Sequence, residues 1–408
     1  MQIALLIALL TMATYALIAR RLSSTIITAP IVFLGLGLLI HFSGVVAPEH
    51  SEDLLYVVAE AALIILLFVD ASLIDFNALK KRYVWPKRML LIGLPLAVIL
   101  GTGVVMALFP SWPFLAAALA ASILAPTDAA LSQAVISNKS VPVEERRTLV
   151  VESGLNDGLA LPIILFFTCT LSTVQGHHDS NFLLFTIKQL IFGPAVGIFF
   201  GWLGARALLK SAEKDLTSSE LEGIAAIAIA IAAYLVAHMI EGNGFIAAFC
   251  AGLVFGHVAK SRIKHVSEFI ESEGQLLIWV SFLLIGLVLL PQALEAFNLQ
   301  IGLLIGLSIF IVRPLAIWLS LIGTDAPPLT RLFLGWFGPR GLATALFALL
   351  VVGDIYQSYA EPVLMIAINA VWVSAVLHGI SAAPFAKWFG NRRTQQLKER
   401  KKTKVTGA

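Results

Sequence analysis

Long apolar stretches alternate with short polar connections along almost the whole chain. A helix needs about 20 residues to cross the hydrocarbon layer of a bilayer. On this criterion the pattern predicts thirteen membrane-spanning helices, at residues 2–19, 26–42, 54–73, 89–109, 113–136, 148–173, 183–208, 221–240, 243–258, 274–290, 298–322, 331–352 and 361–386. We therefore expect an all-α polytopic membrane protein, with one transmembrane domain over residues 1–388 and a short basic cytoplasmic tail over residues 389–408.

The composition agrees with this pattern and excludes a large soluble domain. Hydrophobic residues make up 59% of the chain and charged residues only 13%, whereas a soluble domain carries about 25% charged residues. Cys169 and Cys250 both lie in apolar stretches, so no disulfide framework is expected. The surroundings of such a chain are membrane lipid, and nothing in the sequence indicates a nucleic-acid partner or a bound cofactor.

Lysine and arginine are concentrated in every second connection. One set of alternate connections, together with the tail, holds 25 of the 28 basic residues, whereas the other set holds none, at residues 43–53, 110–113, 174–182, 291–297 and 353–360. Positively charged connections stay on the cytoplasmic side of a membrane. The pattern predicts a plasma membrane protein, such as one of the bacterial inner membrane, with its N-terminus outside and its C-terminus in the cytoplasm.

Two of the predicted spans are interrupted by proline and glycine. Pro126 breaks the fifth span within Ala-Pro-Thr-Asp at 125–128, and Pro339 breaks the twelfth within Gly-Pro-Arg-Gly at 338–341. The two breaks are seven spans apart, so the two segments run in opposite directions. Paired interruptions of this kind are typical of transporters built from inverted repeats, which bind their substrate near the midplane. We predict repeats of spans one to six and eight to thirteen, with the two broken helices crossing.

A polar cluster in the sixth predicted span carries the candidate chemistry. Asp157 lies about ten residues into this span. Inserting a carboxylate at that depth of the membrane costs about 2.5–3.5 kcal/mol of free energy. Such a group binds either a small cation or a proton, and binding the two in turn is the minimal chemistry of exchange. Ser153 and Asn156 lie on the same helix within one turn of Asp157, and they offer the neutral oxygens that hard cations prefer.

Thr127 and Asp128 follow Pro126, where backbone carbonyls are freed from the helical hydrogen-bond ladder. These carbonyls can coordinate an ion. The Asp128 carboxylate either binds the ion directly or offsets the positive end of a half-helix. Asp70, near the inner end of the third span, is either an acid on the access path or an interfacial charge.

The other charged side chains predicted to be buried need partners of opposite charge. The Glu152 carboxylate requires a positively charged side chain as its partner. Arg340, in the opposite broken helix, is the predicted partner, so we expect a structural ion pair between Glu152 and Arg340. Arg313, followed by Pro314, is also buried and must be paired. Its partner is left open between Asp128 and exposed backbone carbonyls.

Taken together, these motifs resemble the monovalent cation:proton antiporter family, in its NhaP-like branch related to the eukaryotic sodium/proton exchangers. The resemblance covers nearly the whole chain and rests on Phe68-Val69-Asp70, Pro126-Thr127-Asp128, Glu152 to Gly158, Arg313-Pro314 and Gly338 to Gly341.

The resemblance implies a homodimer whose protomers work by an elevator-like movement. A dimerisation part would comprise residues 1–73 and 221–290, and a mobile ion-binding core would comprise 89–173 and 298–386, with a linker helix at 183–208. It also implies a set of ion and proton ligands, with Pro126, Pro339 and Arg313 supporting the broken helices. The ligands would be Thr127 through its main chain, Asp128, Ser153, Asn156 and Asp157, with Asp70 reaching in, and Glu152–Arg340 as the stabilising pair.

The function expected from the residues and the resemblance is secondary transport, not enzymatic catalysis. One monovalent cation, sodium or else lithium, is exchanged for one proton at Asp157. The exchange is electroneutral because Asn156 is neutral, whereas relatives with two aspartates there are typically electrogenic. Potassium/proton exchange is the alternative, since the ligand types suit both ions and selectivity depends on the cavity. An intramembrane aspartyl protease using Asp128 and Asp157 fits less well, because its Gly-x-Gly-Asp setting is missing.

Overall fold

The computed structural model describes residues 2–22, 27–45, 49–74, 84–128, 131, 133–136, 138–174, 182–260 and 262–406. Within these ranges the chain forms fifteen helices and no strand. They are α1 Gln2–Leu22, α2 Ala29–Phe42, α3 Glu49–Ser72, α4 Val84–Leu108, α5 Phe114–Leu124, α6 Gln133–Ile136, α7 Val143–Val174, α8 Phe182–Glu213, α9 Ser219–Met239, α10 Gly244–Val258, α11 263–296, α12 Leu299–Ser320, α13 Pro328–Trp336, α14 Leu342–Val352 and α15 Gln357–Thr406.

The helices confirm a multi-pass membrane protein. Nine of the described helices contain an apolar segment long enough to cross a bilayer, and α2, α5, α10 and α14 are shorter apolar helices. Every predicted span overlaps one of these helices or a pair of them. The tight turn at 240–243, which separates the eighth and ninth predicted spans, is real. Glu241 adopts a left-handed φ of 61° there, and the Asn243 side chain caps α10 by accepting a hydrogen bond from the Ile246 N–H at 2.9 Å.

The two predicted interruptions are also present, and they touch. Helix α5 ends at Leu124 before an extended segment through Asp128, and α13 ends at Trp336 before α14 begins at Leu342. Proline ends a helix here because it has no N–H to donate. The Asp128 N–H donates to the Pro339 carbonyl across the gap at 2.9 Å. The two extended segments are thus hydrogen-bonded to each other where they meet.

Helices α4, α11 and α12 share a feature that the sequence pattern did not predict. Each contains one wide π turn, at Met89–Gly93 in α4, Ile285–Leu289 in α11 and Ser308–Val312 in α12, and in each a proline is the second residue after that turn. A π turn accommodates the hydrogen bond that proline cannot make. Of the three helices, α4 and α12 are seven predicted spans apart, the same separation as the two breaks.

A second group of helices is packed through glycine. A Cβ added at these positions would overlap backbone atoms of the neighbouring helix, so the helices approach more closely than any side chain allows. The glycines are Gly193, Gly197 and Gly201 of α8 against α10, Gly252 and Gly256 of α10 against α3, and Gly37 of α2 with Gly286 of α11. We call α2, α3, α8, α10 and α11 the glycine-packed group.

Helix α15 differs from the prediction of a span followed by a separate tail. It continues without interruption to Thr406, because residues 391–406 contain no proline or glycine before Gly407 and are rich in strong helix formers. Its first turns beyond the predicted span pack onto the protein: Phe389 is buried and its ring stacks on Phe333 at 3.8 Å. Arg393 forms a buried ion pair with Glu145 at 3.1 Å. The start of the predicted tail therefore belongs to the folded helix bundle.

Candidate ion-binding site

Four polar side chains of α7 lie beside the crossing of the broken helices and are almost fully buried. They are Glu152, Ser153, Asn156 and Asp157, of which Asp157 exposes only 3% of its surface. Helix α7 also contacts α5, α3 and α14. The structure therefore brings together helices that the sequence places in four separate spans.

Thr127 fixes the unwound segment after Pro126 onto α7. Its main-chain carbonyl accepts a hydrogen bond from the Ser153 hydroxyl at 2.8 Å. Its own hydroxyl accepts one from the Asn156 side-chain amide and donates to Glu152 at 3.3 Å. The predicted ligands Thr127, Ser153 and Asn156 are thus one connected set.

Two buried oxygens in this set have no hydrogen-bond partner among the described residues: Asp157 Oδ1 and Asn156 Oδ1. Buried polar atoms are nearly always hydrogen-bonded, so two unsatisfied acceptors on adjacent residues need an explanation. The Asp157 carboxyl also lies close enough to Asp70, Asp128 and Glu152 to interact with their charges. This concentration of oxygen and negative charge attracts a cation or a proton.

Asp70 approaches α7 from α3. Gly154 faces it, since a Cβ added to Gly154 would lie 3.7 Å from the Asp70 Cβ, at an ordinary van der Waals distance. Gly154 is three residues before Asp157, on the same side of the helix. Of the two predicted settings for Asp70, the half-buried position next to the site fits the access path.

Asp128 occupies the position of a helix cap. Its Oδ2 accepts a hydrogen bond from the Leu342 N–H, the first residue of α14, at 2.9 Å. A carboxylate at a helix N-terminus is stabilised by the helix dipole. Gly341 permits this contact, because a Cβ there would overlap the Asp128 carboxylate. Of the two predicted placements, the geometry corresponds to the second, in which Asp128 offsets the end of a half-helix.

The predicted Glu152–Arg340 ion pair is wrong, because Glu152 pairs with Arg313. The Arg313 guanidinium donates to both Glu152 oxygens at 3.1–3.2 Å, and the two side chains are about equally buried. It also reaches the Phe337 carbonyl at 3.5 Å. The reason is space: a Cβ on Gly338 would overlap the Arg313 guanidinium, so this glycine opens the path from α12 to α7. The open question of the partner of Arg313 is thereby answered.

Arg340 instead lies at the ends of the broken helices and forms hydrogen bonds there. Its guanidinium donates to the Gly338 carbonyl at 2.7 Å and to the Ser308 hydroxyl at 3.1 Å. Together with Leu124 and Ala125, at the C-terminus of α5, it lines a small cavity. Cations are favoured at helix C-termini, where carbonyls are unsatisfied. The crossing thus has Asp128 at a half-helix N-terminus and Arg340 near the C-termini of α5 and α13.

The family model described as "Sodium/hydrogen exchanger, transmembrane" matches residues 5–388. This chain belongs to the sodium/hydrogen exchanger family. Among curated members, the K(+)/H(+) antiporter NhaP of Alkalimonas amylolytica is 30% identical over 382 residues, which are 91% of this chain and 64% of that protein.

Two further curated relatives are named as antiporters of different cations. The K(+)/H(+) antiporter NhaP2 of Shewanella sp. (strain MR-4) is 28% identical over 78% of this chain and 55% of its own length. The Probable Na(+)/H(+) antiporter 2 of Methanocaldococcus jannaschii is 24% identical over 94% of this chain and 95% of its own. This chain therefore spans 64% and 55% of the length of the two potassium/proton relatives.

The solved structure of the sodium proton antiporter MjNhaP1 from Methanocaldococcus jannaschii at pH 8 shares the fold of this chain. The TM-score is 0.79 with 21% sequence identity, covering 95% of this chain and 98% of that one.

Three side chains that support the crossing were not predicted as part of the site from the sequence. The Ser374 hydroxyl accepts the Arg340 backbone N–H at 2.7 Å, and Ser308 binds its guanidinium. His378 is buried in α15, with Nε2 3.1 Å from the Trp336 carbonyl at the end of α13. The available signal was the same as for Asp157: isolated polar residues inside apolar spans.

Proposed function

We propose that this chain exchanges a monovalent cation for a proton across the membrane, with both competing for Asp157. The observation that carries the proposal is the pair of unsatisfied oxygens, Asp157 Oδ1 and Asn156 Oδ1, in a buried and negatively charged setting. A carboxylate at this depth is stable with a bound cation or a bound proton, but costly when charged and empty.

The proposed cation ligands surround these two oxygens. Asp157 supplies the charge, Asn156 a neutral oxygen, and Ser153 and Thr127 a hydroxyl and a main-chain carbonyl with lone pairs beyond their mutual hydrogen bond. Asp128 lies at the edge of the set through its contact with α14. Asp70 is proposed to guide ions toward Asp157 from the side of Gly154.

We infer electroneutral 1:1 exchange because only one group is free to alternate. Glu152 is committed to Arg313, Asp128 to the N-terminus of α14, and Asn156 carries no charge. The site then holds the same net charge when it carries a proton as when it carries a cation. Proton competition also makes the apparent cation affinity fall as the pH is lowered.

The proposed architecture is thirteen spans, with α5–α6 and α13–α14 each counting as one broken span. The matched breaks of α5–α6 and α13–α14 support inverted repeats of spans one to six and eight to thirteen. The homodimer, the elevator-like movement of 89–173 and 298–386 against 1–73 and 221–290, and the linker role of 183–208 are part of the same proposal. So are an outside N-terminus, a cytoplasmic C-terminus and the bacterial inner membrane.

Sodium is the proposed cation, and potassium is the second candidate. The names of the relatives include both ions: potassium/proton for the NhaP proteins of Alkalimonas and Shewanella, and sodium/proton for the Methanocaldococcus protein. The proposed ligands are oxygens, which bind either ion. The size of the closed cavity therefore decides whether sodium or potassium is bound.

The test is exchange in proteoliposomes that carry an internal pH gradient and a pH-sensitive dye. Sodium, lithium and potassium are added in turn, and sodium is expected to dissipate the gradient at the lowest concentration. Potassium acting at lower concentration than sodium would select the second candidate, and no response to any of the three would overturn the proposal. Clamping the vesicle potential at several values should leave the rate unchanged, since one transferred charge would be worth about 2.3 kcal/mol per 100 mV.

A further inference from the structure

One aromatic ring lies directly against the residue that follows Asp157. Phe249, in α10, packs on Gly158 of α7 so closely that a Cβ on this glycine would overlap the ring edge at Cε2, Cδ2 and Cζ. Phe249 exposes only 8% of its surface. An apolar ring therefore covers α7 at the residue next to Asp157, and it is supplied by a helix that contributes no ligand to the candidate site.

Helix α10 holds this ring firmly in place. Gly252 and Gly256 lie against the backbone of α3, at Phe68 and Ser72, and α8 packs on the opposite side through Gly197 and Gly201. Because these contacts are between backbones, α10 cannot shift toward either neighbour. Phe249 moves away from Gly158 only if α7 moves or if the ring changes rotamer.

The two sides of Asp157 along α7 are thus unlike each other. Toward Glu145 and the start of the helix, Gly154 faces the half-buried carboxylate of Asp70. Toward Val174 and the end of the helix, Gly158 faces the Phe249 ring. A hydrated cation or proton is compatible with a carboxylate, whereas an apolar constriction excludes water and ions by dewetting.

We propose that Phe249 is the gate of this site: it closes the route between Asp157 and the Val174 side of the membrane, acting through Gly158. The proposal rests on the exchange function proposed above. Gly154 and Gly158 are four residues apart and form the face of α7 that lies against Asp70 and Phe249. Alternating access then requires α7 to carry Gly158 away from the ring, which exposes Asp157 to that side and seals it from the other.

The experiment measures coupling rather than rate. Vesicles containing Phe249→Ala are given a pH gradient with choline as the only other cation, so that a coupled exchanger stays silent. We expect proton leak several-fold above that of the parent protein, because Asp157 becomes accessible from both sides. The leak should disappear in the double variant Phe249→Ala with Asp157→Asn. Phe249→Leu, which keeps an apolar side chain of similar reach, should remain tight.

Phe255→Ala is the matched control. Phe255 lies in the same helix, is fully buried, and its ring packs on the ring of Phe68 in α3. It should lower thermal stability at least as much as Phe249→Ala without causing leak. Phe249→Val, a smaller truncation, should give an intermediate leak and keeps the test possible if the alanine variant does not fold.

Equal leak from the Phe249 and Phe255 variants, or no leak from any Phe249 variant, would show that the ring is only packing. A leak that survives Asp157→Asn would also overturn the gate, because it bypasses the site. Failure of the proposed function looks different. In that case the parent protein itself shows no cation-driven proton movement in the same vesicles.

Discussion

The glycine-packed group and the polar crossing around α7 are held together by opposite means. In the first, α3, α8 and α10 meet where side chains are absent, and their backbones are in direct contact. In the second, α5, α7 and α12 to α14 meet through buried charges and hydrogen bonds, such as Glu152–Arg313 and Asp128 with Leu342. In the first region a methyl group added at one of these glycines would overlap a neighbouring backbone, and in the second the loss of one charge would leave its partner buried alone.

This difference indicates which region can rearrange. Close-packed backbones have no alternative arrangement at the same separation. A hydrogen bond can be exchanged for another or for an ion, as the oxygens around Asp157 allow. We therefore expect the glycine-packed group to act as the fixed support and the polar crossing as the part that responds to ions.

The largest expected effect is at Asp157. Asp157→Asn should abolish exchange, because the group that alternates between proton and cation is lost. Folding should survive, since Asp157 Oδ1 has no hydrogen-bond partner to lose among the described residues. Dye-based exchange and thermal melting in detergent measure the two properties separately. Substantial sodium- or potassium-driven proton movement by this variant would contradict the mechanism.

The next largest effect is on the stability of the polar crossing. Glu152→Gln or Arg313→Met leaves one charge buried without its partner, which should cost about 3–5 kcal/mol. The double variant should recover part of this loss. Arg340→Met serves as the control, and it should show little coupling to Glu152→Gln in a double-mutant cycle. Stronger coupling of Glu152 to Arg340 than to Arg313 would restore the pairing expected from sequence.

Adding a methyl group tests the glycine-packed group. Gly252→Ala places a Cβ inside the backbone of Phe68, and overpacking of this kind costs about 1–3 kcal/mol. Cation affinity in the variant that remains folded should be unchanged. Gly35→Ala is the matched control, because no atom lies within 4 Å of its added Cβ. Equal melting temperatures for the two variants would argue against tight packing here.

The same substitution in the polar crossing should have a smaller effect on stability and a larger one on transport. Gly341→Ala pushes the Asp128 carboxylate off the Leu342 N–H, and loss of such a cap costs about 0.5–2 kcal/mol. We expect weaker apparent cation affinity as well, since Asp128 lies beside Asp157. Gly103→Ala, in open space on α4, controls for the methyl group. Unchanged affinity in Gly341→Ala would separate Asp128 from the site.

Much of the candidate site was predictable because polar residues inside apolar spans are costly. Thr127, Ser153, Asn156 and Asp157 were found in this way, and the structure places them together. The spans and both breaks followed from hydrophobicity and proline. The partner of Glu152 was not predictable, because it depends on the space left by Gly338. Phe249 gave no signal, since one phenylalanine in an apolar helix resembles any other.

Glu145 joins three helices at one oxygen. Its Oε1 accepts from Arg393 of α15 and from the Thr330 hydroxyl of α13, each at 3.1 Å, and Glu145 itself lies in the first turn of α7. Helix α15 is therefore linked directly to α7, the helix that contains Asp157. A spin label or fluorophore attached to α15 near Arg393 would report displacement of α7 during turnover without any modification of the transport site.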